Sequence, residues 1–146
     1  TEFEILHPGE RFLDDGKGGL NANAIVCKMN YKLNNGKIFS ILFTGDIEVE
    51  SEKELEQVYG KKLKADILKI AHHGSKTSSR EKFIKLVSPK IALIGVGENN
   101  KFGHPADITL ERLEKENVKV YRADQMGEIS ITINKNGEIK VKTQIN

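Results

Sequence analysis

Several classes of protein are excluded by what this chain lacks. Its only cysteine, Cys27, lies in an apolar segment, which rules out an internal disulfide and leaves the redox compartment open. No stretch approaches the ~18 consecutive apolar residues of a membrane-spanning helix. The opening Thr1-Glu2-Phe3-Glu4 is not the start of a signal peptide, so the chain reads as soluble, whether or not it is cut from something larger. Charge of one sign is also missing: 23 Lys and Arg against 21 Asp and Glu leave +2, with neither an acidic tail nor a strong basic footprint for nucleic acid. Internal repeats and low-complexity segments are absent. What remains is 146 residues, the size of one domain, able to bury roughly two-thirds of its unfolded surface.

The stretch that organises the chain is Ala65-Asp66-Ile67-Leu68-Lys69-Ile70-Ala71-His72-His73-Gly74-Ser75, an apolar run of strand length ending in two imidazoles, a glycine and a hydroxyl. The pattern recurs in Ile38 to Thr44 before Gly45-Asp46, and in Ile91 to Val96 followed by Gly103-His104-Pro105. Open α/β sheets place their chemistry at the carboxyl ends of such strands.

Taken in order, Phe3 and Ile5 alternate with Glu2 and Glu4 as a half-buried strand that His7-Pro8-Gly9 ends, with His7 at the surface. Glu10 to Gly19 reads as a flexible loop; no lysine and hydroxyl follow it as a phosphate loop would need. Asn34-Asn35-Gly36 between Ala24–Leu33 and Lys37–Thr44 predicts a hairpin, because Asn and Gly tolerate positive φ. Ser51-Glu52-Lys53-Glu54 and Ser78-Ser79-Arg80-Glu81 have capping-box spacing ahead of helical stripes Leu55, Val58, Tyr59 and Phe83, Leu86, Val87. A third helix is expected after Pro105, on Ala106, Leu110 and Leu113. A short strand Val118–Val120 and a second hairpin about Asn136-Gly137 follow. Strands joined by amphipathic helices, with hairpins at both ends, predict an α/β unit with mixed sheets.

Asp46 follows a strand and a glycine, where a carboxylate has no packing value. Alone it reads as a turn residue; 26 positions before His72 and His73 it reads as a partner for imidazole, a donor set that suits zinc, manganese or iron. Adjacent strand residues face opposite ways, so the two histidines share a site only if the chain turns, and Gly74 is expected to supply the turn. His104, before Pro105 at a helix start, is expected neutral and divides between a ligand or oxyanion-donor role and a capping role. Ser75, Thr77, Ser78 and Ser79 have no base at a defensible spacing, and capping is the better account of Ser78.

These peptides resemble the metallo-β-lactamase superfamily, most closely the soluble domain of ComEC-type competence proteins that take up DNA. The match runs through Asn21 to Val26, Thr44-Gly45-Asp46, Ala65 to Ser75, Pro89, Asn100 to Pro105, and Tyr121 to Asp124 with Gly127, nearly the whole chain. The resemblance implies that Asp46 bridges two divalent metal ions, zinc or manganese, and that His72 or His73 binds the second. It implies that His104 contacts substrate or metal at the rim, and that Asn23 and Ser75 line the substrate site. Asn23 stands where relatives outside this subgroup often carry a histidine, and Ala123 where the pattern usually has Thr. The superfamily's His-x-His-x-Asp-His peptide does not occur. The resemblance therefore implies the C-terminal half of an αββα sandwich, a single partial domain spanning 1–146. The implied function is a metal-dependent, nuclease-like hydrolase acting in DNA uptake, attached to a membrane channel domain and facing away from the cytoplasm. The alternatives are a stand-alone, secreted hydrolase of another ester, such as a phosphorylcholine ester or a lactone, and a metal-free binding domain. The near-neutral charge favours another ester over tight DNA binding. A half-sandwich would expose one apolar sheet face, so a homodimer or strand swap is expected.

Overall fold

The computed structural model describes residues 1–9 and 20–145; the loop expected over 10–19 lies outside them. One six-stranded sheet runs in chain order: β1 (Glu2–His7), β2 (Val26–Lys32), β3 (Ile38–Phe43), β4 (Ile67–Lys69), β5 (Ile91–Ile94) and β6 (Lys119–Arg122). The first three strands pair antiparallel, and β3 to β6 pair parallel. Helices α1 (Val49–Tyr59), α2 (Glu81–Val87) and α3 (Asp107–Lys115) are the crossovers between the parallel strands. A short α4 (Ala123–Met126) leads into β7 (Ile129–Ile133) and β8 (Ile139–Thr143), which form a separate antiparallel pair.

Both Asn-Gly hairpins form. Gly36 and Gly137 have φ of 79° and 88°, left-handed values that side chains resist. Alternation along the strands then separates two cores. Leu42, Leu68 and Ala92, aligned across β3, β4 and β5, pack with Leu55, Phe83, Ile84, Val87 and Leu113 from the helices. One residue earlier, Ile41, Ile67 and Ile91 align on the opposite face and pack with Ile131, Ile133, Ile139 and Val141 of the β7–β8 hairpin. The result is a mixed α/β fold of three layers, helices, large sheet and small sheet. The hairpin covers the centre of the face expected to lie bare, while Phe3 and Ile5, paired with Met29 and Cys27, remain 66% and 60% exposed.

Four local expectations are corrected. His7 is buried, not at the surface: a register shift between Ile5 and His7 turns both Leu6 and His7 inward, where His7 Nε2 lies 2.6 Å from the Ala22 carbonyl. Neither capping box forms. Helix α1 starts at Val49, so Ser51 is buried in its first turn, 3.4 Å from the Ala22 carbonyl. Before α2, Ser78 Oγ donates to the carbonyls of Ala71 and Ser75, and the buried Glu52 carboxylate of α1 accepts the Ser79 and Arg80 N–H groups. The cap of one helix thus comes from its neighbour, which no local spacing encodes. Finally, β4 holds only three residues, because Asp66 bends away to accept the Ser40 N–H at 3.1 Å and pair with Lys90 at 3.0 Å.

Candidate active site at the carboxyl ends of the parallel strands

The loops after β3, β4 and β5 are tied into one rim. Thr44, fully buried at the end of β3, donates from Oγ1 to the Lys69 carbonyl at 2.5 Å, and the His72 N–H donates to the Gly45 carbonyl at 3.1 Å. Gly45 is required by crowding: with φ of 55°, a Cβ there would lie 2.9 Å from the Ile25 carbonyl oxygen and 3.2 Å from Ala24 Cβ. Gly74, with φ of 86°, lies against the loop that carries His104; a Cβ would come within 2.6 Å of Pro105 Cβ, and the Gly74 carbonyl accepts the Ala106 N–H at 2.9 Å. The turn expected at Gly74 begins earlier, since His72 and His73 themselves adopt left-handed φ of 47° and 55°. Two successive non-glycine residues in that region store backbone strain, a feature that concentrates at functional sites.

That turn brings both imidazoles to the same rim. His73 Nδ1 lies 2.5 Å from the Gly95 carbonyl, which can only accept, so Nδ1 carries the proton and Nε2 presents a lone pair in the neutral ring. Nε2 faces Asp46 Oδ1 at 3.8 Å. His72 Nδ1 is buried 3.1 Å from Glu48 Oε1, without hydrogen-bond geometry. The His72 ring is 6.4 Å from that of His73 and 5.6 Å from that of His104. His104 is held by Asn100, whose side chain donates to the His104 carbonyl at 2.7 Å and accepts its N–H at 2.8 Å. Burial, then the nearby His72 and His73, hold the His104 imidazole below its ordinary pKa, and its buried Nδ1 has no hydrogen-bond partner among the described residues. Phe102 stacks on it at 5.9 Å with its own ring 82% exposed. A cavity of about 420 Å³ opens between His73, Val96, Asn100, Phe102 and His104.

Asp46, His72, His73 and His104 therefore meet at one sheet edge. Ser75 is buried, with Oγ 3.0 Å from Thr77 Oγ1 and its carbonyl accepting from Thr109, so its groups hold the loop together. Asn23 ends a 3-10 turn, Leu20–Asn23, beside the residues that crowd Gly45, and its buried Oδ1 has no hydrogen-bond partner among the described residues. Sequence reasoning gave no role to Glu48, Lys69, Asn100 or Phe102. Lys69 had a readable signal, an ammonium in an otherwise apolar strand. Its Nζ donates to the Ile70 carbonyl at 2.7 Å, and burial lowers its pKa while the Asp46 charge opposes the shift.

The residues present fit a metal in part. Asp46 Oδ1 and His73 Nε2 face each other at 3.8 Å, inside the roughly 4.1 Å limit of two collinear Zn–ligand bonds but wider than the roughly 3.3 Å of two tetrahedral ligands, and the Gly95 carbonyl orients the imidazole as a ligating histidine requires. Among the described residues, no group of three His, Cys, Asp or Glu side chains converges as a metal site.

No family model matches the chain. It is 44% identical over 90 residues, 62% of its length, to ComE operon protein 3 of Bacillus subtilis, and 29% identical over 137 residues, 94% of its length, to competence protein ComA of Neisseria gonorrhoeae. The chain is similar to competence proteins. Recombination protein 2 of Haemophilus influenzae is 34% identical over 92 residues, 63% of the chain. The chain spans only 12%, 18% and 11% of these three relatives, in that order. No helix among the described residues is long and apolar enough to cross a membrane.

Proposed function

We propose that this chain is the C-terminal part of a metallo-β-lactamase-like hydrolase domain that cleaves phosphodiesters during competence DNA uptake. The observation that carries the reading is the Asp46–His73 pair: a carboxylate oxygen and the Nε2 of an imidazole oriented by the Gly95 carbonyl, at 3.8 Å. The similarity to competence proteins supports the biological setting, and the two-sheet, helix-covered architecture is compatible with half of a sandwich. Asp46 and His73 would hold zinc or manganese, with His72 at the edge of the same group. A divalent ion bound there supplies Lewis-acid polarisation of a phosphoryl oxygen and a water acidified towards neutral pH.

The remaining roles belong to the chain itself. Gly95 fixes the His73 tautomer through its carbonyl, and Lys69 sets positive charge near Asp46. His104, kept neutral by burial, is free to donate or accept a proton at the rim, and Asn100 holds it in place. Phe102 offers a stacking surface at the mouth of the cavity, suited to a base. Calorimetric titration with Mn²⁺ and Zn²⁺, beside Asp46→Ala and His73→Ala, tests the reading. Binding in the parent that both variants lose supports it. A parent that binds neither ion, alone and within the full-length protein, removes the metal and leaves the cleft as a ligand-holding site.

A further inference from the structure

A second recess, of about 410 Å³, lies at the other end of the parallel strands, around the residues that precede β4 and β5. Among the described residues, Lys28, Lys61, Lys62, Lys64 and Lys90 line it, with Asp66 the only acid. Elsewhere among the described residues four lysines pair with carboxylates, among them Lys53 with Glu50 at 2.9 Å, Lys82 with Glu56 at 3.0 Å and Lys115 with Glu81 at 3.0 Å, while others such as Lys37, Lys76 and Lys101 stand singly; the recess differs in gathering its lysines about one concavity. In the recess only Lys90 is matched, to Asp66. Among the described residues, no carboxylate comes within 4.0 Å of Lys28, Lys61, Lys62 or Lys64.

The cluster is built rather than scattered. Leu63, with 0% exposure, pins the turn Gly60–Leu63 into the helix-side core and leaves Lys61, Lys62 and Lys64 pointing to solvent around it. Lys28 reaches across from β2 and donates to the Lys62 carbonyl at 2.6 Å, and burial lowers its pKa against the pull of Glu4 and Asp66. Asp66 has little left to neutralise others, since Oδ1 is taken by Lys90 and Oδ2 accepts the Ser40 N–H. The recess thus carries +4 on a chain of +2, so the rest of the molecule is net negative. Crowded like charges repel one another, and an anion bound in the recess relieves the repulsion.

We propose that this lysine recess is a second site, remote from the histidines, that binds the phosphate backbone of nucleic acid. Several unpaired ammonium groups about one concavity suit a polyanion with closely repeated charges, and lysine contacts to phosphate carry affinity without sequence preference. The choice of nucleic acid among polyanions rests on the DNA-uptake reading; the anion site does not.

The test measures binding of a fluorescently labelled DNA duplex to the whole chain by anisotropy, in chelator, across a salt series. The parent should bind with log K falling by roughly 3–5 per decade of salt, as four or five phosphate contacts require. Exchanging Lys61, Lys62 and Lys64 together for Glu should weaken binding at least ~10-fold and flatten that slope by roughly 2–3. Lys61→Ala with Lys64→Ala should shift both in the same direction by less, and Lys115→Glu, on α3, should match the parent. No binding by the parent, equal loss in the Lys115 variant, or an unaffected turn variant overturns the proposal. So does preferential binding to phosphatidylglycerol vesicles that duplex DNA fails to displace. Absent metal-dependent cleavage with intact duplex binding would sink the hydrolase reading alone.

Discussion

Glycines decide the site at the scale of single residues. Gly74 has to lack a side chain twice over, for its φ of 86° and for the Pro105 Cβ only 2.6 Å from where a Cβ would stand. Gly74→Ala should therefore cost about 2 kcal/mol or more, strain plus a displaced backbone, as read from the urea midpoint. It should also move His104 away from His72, because Pro105 carries that loop. Gly60→Ala tests the distinction: its φ is 49°, but nothing lies within 4 Å of the added carbon, so about 1 kcal/mol of conformational strain is the expected loss. Equal losses at both positions would show that Pro105 yields at no cost.

Between elements, the decisive link is Glu52. Its carboxylate, fully buried on α1, receives the Ser79 and Arg80 N–H groups and the Arg80 guanidinium at 3.2 Å, so α1 caps α2. Burial pushes its pKa up to about 7, against the lowering by those donors. With the folded value raised above the unfolded value of 4.5, its contribution to stability is complete below pH 4.5 and is lost as pH rises through about 7. The interval corresponds to roughly 3 kcal/mol. Denaturant midpoints measured from pH 4.5 to 8 should fall in the parent by more than in Glu52→Gln, which cannot titrate. Parallel curves for the two proteins would remove Glu52 as the source. A glutamate one position after the serine of an apparent capping box gives no local hint of this role, because its partners lie 27 and 28 residues away.

For the molecule as a whole, the two faces of the large sheet carry unequal weight. The helix-side core is closed, with Phe83 fully buried, whereas the β7–β8 hairpin lies over the other face with its side chains only partly covered. Phe83→Ala should cost about 3–5 kcal/mol, and Ile131→Ala nearer 1–2 kcal/mol because the gap opens towards solvent. Thermal unfolding followed by circular dichroism distinguishes them, and a larger loss at Ile131 would make the hairpin the principal support of the fold.

Charge also changes meaning at this scale. A formal +2 spoke against a nucleic-acid footprint, yet the fold gathers Lys28, Lys61, Lys62, Lys64 and Lys90 from three separate stretches of chain into one recess. The sequence by itself determined what depends on near neighbours. Alternation set the strands, Asn-Gly set both hairpins, the 3.6-residue stripes set the helices, and three apolar strands leading to Asp46, His72–His73 and His104 marked the rim. Only the tertiary structure decided what depends on residues distant in the chain: the Glu52 cap, the bulge that buries His7, the histidine turn tied to the Gly45 carbonyl, and the lysine recess. Those arise from backbone crowding and charge placement across different elements, and such distances are fixed only when the chain has folded.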